Sequence, residues 1–249
     1  MEDFIFGTRA VLEAISAGKD IERVLLQKKS ESAGAQELFS VLRQKNIEFQ
    51  FVPVEKLNRV TRKNHQGVIA YLSQVSYTPL EEMVSRAYES GKDPFILVLD
   101  HISDVRNFGA IARTAECAGV DGIVIPEKGS VRVTADAVKT SAGALMKIPV
   151  ARVGSLRVTI NYLAMSGLSI VSATEKSETG LYEAELGGPI ALIMGSEEIG
   201  VSASLLELSN KRVKIPMLGE IGSLNVSVAA GVVIYEVIRQ RSKSMEAAG

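Results

Sequence analysis

Five short runs rich in apolar and β-branched residues follow one another from Phe95 onward: FILVLD (95–100), GIVIP (122–126), SIVSAT (169–174), IALIMGS (190–196) and KRVKIP (211–216). Most of them lack the apolar/polar alternation of a strand with one wet face. Strands buried on both faces read this way, which predicts a parallel sheet covered by helices. Helical segments fall between the runs, over 109–118, 134–145, 155–166 and 202–208, and a long helix over 225–242 closes the chain. Open parallel sheets gather their ligand sites at the carboxyl ends of the strands, so function is sought there.

The first 73 residues have a different texture. Thr8–Ala17 places Val11, Leu12 and Ile15 at helical spacing, with Thr8 as the expected cap. IERVLLQ (21–27), IEFQFVP (47–53) and VIAYLS (68–73) read as strands, and 35–45 as a helix with Leu38, Phe39 and Leu42 on one face. This predicts a small α/β unit. SYTPLEEMVSRAYESGKDP (76–94) carries two prolines, many charges and a short helical stretch, as a linker that includes a helix would. The expected division is 1–75, a linker 76–94, and 95–249.

Composition removes several classes. The 249 residues are 46% hydrophobic and 23% charged, too apolar for disorder. No uncharged apolar run is long enough to span a membrane. The N-terminus MEDFIFGTRAVLEAI, with Glu2 and Asp3, lacks the apolar core of a signal peptide, so a cytoplasmic location is expected. One cysteine (Cys117) and two histidines (His65, His101) exclude an intramolecular disulfide framework and make no thiolate–imidazole zinc site. No metal is expected, although this count leaves carboxylate-held Mg²⁺ open.

The formal net charge is −1, unlike a bulk basic nucleic-acid binder. Residues 1–75 hold 11 Lys and Arg against 9 Asp and Glu, and the remainder 17 against 20. Any basic footprint is therefore local. Lys56, Arg59, Arg62, Lys63 and His65 fall within ten residues, as a solvated face or as a set of phosphate contacts.

Common phosphate and nucleophile motifs are missing: no G-x-G-x-x-G follows a strand, and there is no P-loop G-x-x-x-x-G-K-[ST] and no G-x-S-x-G. Three blocks remain, each at a strand end. In LDHISDVRNFGAIARTAECAGVDGIVIP (99–126), Asn107 stands where a helix cap would. Arg113 follows among alanines, suited to solvent or to a ligand. In ALIMGSEEIGVS (191–202), Gly195 allows close backbone approach, and Glu197 and Glu198 form a charged turn or a site. In VKIPMLGEIGSLNVSVAAGVVIYEVIRQ (213–240), Ser223-Leu224-Asn225 opens the last helix, as caps or as ligand contacts. Gly231 inside that helix costs about 1 kcal/mol against alanine and suggests close packing on another backbone.

Together, N-F-G-A-I-x-R-T-A, G-S-E-x-x-G and I-P-M-x-G-x-x-x-S-L-N-V-S-x-A, in this order, resemble the three motifs of the SpoU/TrmH family within the SPOUT class. The resemblance spans about 95–240. It implies an S-adenosyl-L-methionine-dependent RNA ribose 2′-O-methyltransferase. It also implies a trefoil-knotted, mostly parallel-sheet catalytic domain and a homodimer through the knot. FIFGTRAVLEAI and NHQGVIAYL are similar to the small L30e-like α/β domain that ribosomal RNA members carry at the N-terminus. The two-part layout resembles members that methylate a guanosine ribose in the P-loop of 23S ribosomal RNA; a transfer RNA or another ribosomal ribose would use the same chemistry, and the other alternative is an RNA-binding relative without catalysis.

By this resemblance Asn107, Arg113, Glu197, Ser223 and Asn225 match the catalytic motif positions. Gly195, Ile215 and Leu224 match the cofactor-holding positions, to which Thr174 and Met217 are added from their places at strand ends. Lys56, Arg59, Arg62 and Lys63 become the RNA contacts. Glu198 departs from the family's usual G-S-E-G and brings an extra negative charge.

Overall fold

The computed structural model describes residues 3–28 and 33–248; Glu2, one of the two N-terminal acids, lies outside them. The chain separates into two units, Met1–Ser76 with Arg132–Ala135, and Tyr77–Val131 with Asp136–Gly249.

In the first unit the elements run β1 (Phe4–Phe6), α1 (Thr8–Ser16), β2 (Ile21–Gln27), α2 (Ala33–Gln44), β3 (Phe49–Val52), α3 (Val54–Val60) and β4 (Val68–Leu72). The sheet order is β1-β4-β2-β3, with only β2 and β3 parallel. Successive strand side chains point to opposite faces, and both faces are covered. Val24 and Leu26 of β2 meet Val11, Ile15, Leu38 and Leu42 of α1 and α2. Leu25, between them, meets Leu57 of α3 on the other side.

Thr8 is not the cap of α1. Gly7 holds that position, without a side-chain cap, and the Thr8 N–H donates instead to Gln66 Oε1 at 3.3 Å. β1 and α3 were not expected. Three residues are too few to show a period, and Leu57 is the one buried residue of α3.

The second unit continues with α4 (Leu80–Glu89), β5 (Phe95–Asp100), α5 (Val105–Cys117), β6 (Gly122–Pro126), α6 (Ala135–Thr140), β7 (Val150–Val153), α7 (Leu156–Met165), β8 (Ser169–Ala173), β9 (Ile190–Gly195), α8 (Ala203–Leu206), β10 (Lys211–Val213) and α9 (Val226–Ala248). Its sheet has the order β10-β8-β9-β5-β6-β7, with every neighbouring pair parallel. All six residues of β5 are buried, as a continuous apolar run requires. β7 escaped the sequence reading because VARV is four residues long and includes an arginine. The predicted helix over 134–145 ends at Thr140, where Ala142 and Gly143 take left-handed conformations and a 3₁₀ turn follows.

The segment expected as a linker is packed. In α4, Leu80, Met83, Val84 and Ala87 repeat at helical spacing and are buried, the first three in the core of the second unit. No helix among the described residues is long and apolar enough to cross a membrane.

The last helix is tied at its far end. The Arg241 guanidinium donates to the carbonyls of Asp93 (2.8 Å), Pro94 (3.0 Å) and Gly188 (2.9 Å) and lies over the Phe95 ring. Burial pushes its pKa below the ordinary arginine value. The close backbone approach expected at Gly231 is not found among the described residues of this chain. A Cβ there would meet Thr114 Cγ2 at 3.8 Å, an ordinary contact.

Candidate active site

The sheet of the second unit changes direction at β5. The chain builds outward through β6 and β7, then returns to place β8, β9 and β10 on the other side. Such a reversal separates the loops leaving neighbouring strands and opens a crevice at their carboxyl ends. A cleft of about 780 Å³ opens beyond β8, β9 and β10. Thr174, Gly195, Ile215, Met217 and Leu224 all line it, together with Glu197, Glu198 and Ser223.

The loop after β9 is tightly closed. Ser196 and Gly200 form an isolated bridge, with the Gly200 N–H donating to the Ser196 carbonyl at 2.8 Å. Gly200 has φ +71°, in the left-handed region that favours glycine. A Cβ on Gly195 would stand 2.0 Å from the Gly200 carbonyl carbon and 2.2 Å from the Val201 nitrogen. The glycine expected to admit a ligand is thus required first by the protein's own returning backbone.

This closure holds Glu197 against the start of α9. Its Oε1 accepts from Asn225 Nδ2 at 2.6 Å and from the Val226 backbone N–H at 2.9 Å. A carboxylate suits the N-terminal end of a helix, where unpaired N–H groups and the helix dipole favour negative charge. The same Asn225 Nδ2 donates to Asn107 Oδ1 at 2.9 Å, while Asn225 Oδ1 accepts from the Ser227 N–H at 3.0 Å and from Ser227 Oγ at 2.5 Å. Both amide protons and both oxygen lone pairs of Asn225 are therefore in use. These partners also fix which way round the amide sits.

Asn107 is not a cap. Asp104 caps α5, its Oδ1 accepting from the N–H groups of Arg106 and Asn107 at 2.9 Å. Asn107 lies in the first turn, which leaves its side chain for Asn225. The structure thus joins Asn107, Glu197 and Asn225, one from each sequence block. Ser223 lies on the cleft wall. Arg113 stands apart: it is exposed on α5, does not line the cleft, and among the described residues forms no hydrogen bond or ion pair.

Three residues of this region were missed. Asp100, 4% exposed at the end of β5, pairs in register with Gly195. Its Oδ2 accepts from the Ser202 N–H at 2.8 Å and from Ser202 Oγ at 2.5 Å, pinning the far end of the Glu197 loop. The signal was present: an acid ends an otherwise apolar strand, where an uncompensated buried charge is costly. Lys176 and Lys214 also line the cleft, and nothing in their sequence context marked them.

In the first unit Lys56 and Arg59 lie on α3, and Arg62 and Lys63 in the loop after it. All four are exposed and none forms an ion pair among the described residues. His65 does not belong with them. It is buried, its Nδ1 accepts from the Gly67 N–H and its Nε2 faces Asn58 Oδ1, both at 3.0 Å. It braces a turn.

A parallel α/β sheet with a cleft at the carboxyl ends of β8, β9 and β10, edged by an amide–carboxylate chain, is the usual setting of a ligand site in such sheets. Comparison with known proteins gives the class. The SpoU rRNA Methylase family model matches residues 94–235, and the model for RNA 2′-O ribose methyltransferase substrate binding matches residues 4–78. The Bacillus subtilis (strain 168) protein YacO, named to the TrmH family of tRNA/rRNA methyltransferases, is 34% identical over 240 residues, covering 96% of each chain. A crystal structure of an RNA 2′-O ribose methyltransferase is 26% identical with TM-score 0.57, covering 96% of this chain and 88% of that one. The SpoU methyltransferase AviRb from Streptomyces viridochromogenes, solved with AdoMet, shares the fold at 23% identity and TM-score 0.63, over 97% of this chain and 91% of that one. The chain belongs to the SpoU/TrmH family of RNA ribose 2′-O-methyltransferases.

The Asn225 bridge makes a direct prediction. Asn225→Asp replaces the shared donor with an oxygen facing Glu197 Oε1 and Asn107 Oδ1. A stability loss of about 1–3 kcal/mol is expected in urea unfolding. Adding Glu197→Gln to Asn225→Asp should recover part of it, because an amide at 197 can donate to the new carboxylate. A double variant no more stable than the sum of the single changes would contradict the contact.

Proposed function

We propose that the cleft holds S-adenosyl-L-methionine and that the methyl acceptor is the 2′-hydroxyl of a guanosine in the P-loop of 23S ribosomal RNA. The observation that carries the site assignment is the Asn107–Asn225–Glu197 chain, which brings the three sequence blocks to one edge of the cleft. The wall fits such a group. Ile215, Met217, Leu224 and Ala229 offer apolar surface, and Thr174, Ser196 and Ser223 offer a few polar atoms, the mixture that holds small organic ligands. When bound, the cofactor supplies a methyl group on a sulfonium, already activated for displacement.

The protein's own work is positioning. A guanidinium is a poor base and a good fork for anions, so Arg113 serves as an anion holder. It grips the target phosphate and stabilises the charge that develops on the ribose oxygen. Asn107 and Asn225, locked by each other and by Glu197, fix the start of α5 relative to the start of α9. Ser223 faces the acceptor from the cleft wall. Lys56, Arg59, Arg62 and Lys63 contact phosphates, which position RNA without reading its sequence. Residues 1–75 form the L30e-like substrate-binding domain and 95–249 the catalytic domain, with a trefoil-knotted C-terminal segment; 76–94 joins them, its helix α4 packed into the second unit. The knotted domain pairs with a second copy. Val228 and Tyr235 of α9, each 51% exposed, are the apolar surface such pairing would cover. A cytoplasmic location goes with this reading.

The test is methyl transfer from labelled S-adenosylmethionine to total RNA from cells lacking this enzyme, with alkali-resistant ribose positions mapped. One new 2′-O-methylguanosine in the 23S P-loop is the expected result. A mark on transfer RNA, or elsewhere in ribosomal RNA, would keep the chemistry and replace the target.

A further inference from the structure

The first unit carries a group of rings outside the site described above. Phe39 on α2 and Phe49 and Phe51 on β3 form a triangle, with centroids 5.2 Å apart for 39–49, 5.9 Å for 39–51 and 5.8 Å for 49–51. Two of the three contacts are edge-to-face, the preferred aromatic arrangement. Residues two apart on a strand share a face, and β3 is an edge strand of its sheet. Phe39 and Phe49 are partly buried against the core. Phe51 is 47% exposed, the one large exposed hydrophobic among the described residues of this unit.

A cation accompanies the rings. Arg43, one helical turn beyond Phe39, has its guanidinium carbon 4.4 Å from the Phe39 centroid. It enters no ion pair among the described residues. Glu48, which directly precedes Phe49, is engaged by Arg132 at 2.6 Å.

We propose that Phe51, backed by Phe39 and Phe49 and flanked by Arg43, is a stacking platform for an unpaired nucleobase of the RNA substrate. The proposal rests on the RNA reading of this unit, which the substrate-binding family model covers. An exposed ring, with a guanidinium over the ring that backs it, selects this occupant. A base has a face for the ring and a phosphate for the cation, and aromatic stacking is the usual way proteins hold unpaired bases. A protein partner would be met by a broad apolar surface, and here a single ring is open. The platform is prepared in advance, since two neighbouring rings already restrain Phe51 and little side-chain freedom remains to be lost on binding. It also supplies what the Lys56/Arg59/Arg62/Lys63 contacts lack. Bases inside a duplex are stacked on each other, so the platform distinguishes single-stranded loops from helices.

The sequence contains no tryptophan, so Phe51→Trp in the full chain makes position 51 the sole source of tryptophan emission. Titration with a short single-stranded RNA should quench it saturably, and the same sequence as a duplex should quench it far less. Phe51→Leu, with an unchanged melting temperature, should weaken binding of the labelled single strand roughly tenfold without altering the salt dependence. Charge reversal at Lys56 and Arg59 should instead lower the salt slope. Normal RNA affinity without quenching, or a leucine variant that binds like wild type, would overturn the platform and leave the RNA reading of the unit intact. Emission that shifts with protein concentration in the absence of RNA would make the rings a contact between copies and likewise overturn it. Failure of the unmodified chain to bind any RNA would remove both the platform and the reading beneath it.

Discussion

Arg113→Ala is expected to lower methyl transfer by a factor of at least about a hundred to a thousand, the usual cost of removing a group that stabilises developing charge. Its affinity for S-adenosylmethionine should be unchanged. The first half rests on the proposed role of Arg113, and the second follows from where the residue stands. Arg113 is exposed, touches no other side chain through a hydrogen bond or ion pair among the described residues, and does not line the cleft. Its removal leaves no buried partner unsatisfied. Arg113→Lys keeps the charge and loses the planar fork that grips a phosphate from two directions, so it should fall between wild type and alanine. Single-turnover transfer and calorimetric cofactor binding separate the two effects. Turnover like wild type in the alanine variant would remove Arg113 from the reaction.

The second large effect is structural. Gly195→Ala puts a methyl group 2.0 Å from a backbone carbon. Overpacking of a side chain costs about 1–3 kcal/mol when neighbours can turn aside, but a backbone cannot, and here Asp100 and the Ser196–Gly200 bridge fix it from both sides. A loss at or above the top of that range is expected, lowering the melting temperature by roughly 6–12 °C for a chain of this size. Cofactor affinity should collapse with it, because the displaced loop forms one wall of the cleft. Gly188→Ala, where a Cβ meets nothing within 4 Å, is the matched control. Equal melting temperatures for the two variants would show that the loop yields after all.

The sheet of the second unit was legible because burial on both faces leaves an uninterrupted apolar run, as in β5 and β9. β7 was not, since a four-residue edge strand that includes Arg152 has no such run. The helix boundaries near the site were misplaced for a related reason. Asn107 and Thr8 are both acceptable caps by residue type, and the choice fell to Asp104 and Gly7 through contacts that spacing does not report. The three motif blocks lie at the ends of β5, β9 and β10, and the cleft opens at the last two and at β8. What they did not disclose is that Asn225 alone closes the circuit between Asn107 and Glu197, because that depends on three segments arriving at one point. Nor did they mark Asp100, whose role is to hold a loop and not to face a ligand. Charge grouping in sequence was misleading for His65, which turns inward while its four neighbours face solvent.

The hydrogen bond from Asn225 to Asn107 joins positions 118 residues apart. Ribosomes add about 5–20 residues each second. Roughly 6–24 seconds therefore pass between synthesis of the first half of this contact and of the second. When that interval opens only β5 of the parallel sheet has been made; β6 to β10 follow during it, and the edge formed by Asn107, Glu197 and Asn225 is the last part to close. On the proposed reading of that edge, methyl transfer begins only with chains whose last helix has been made.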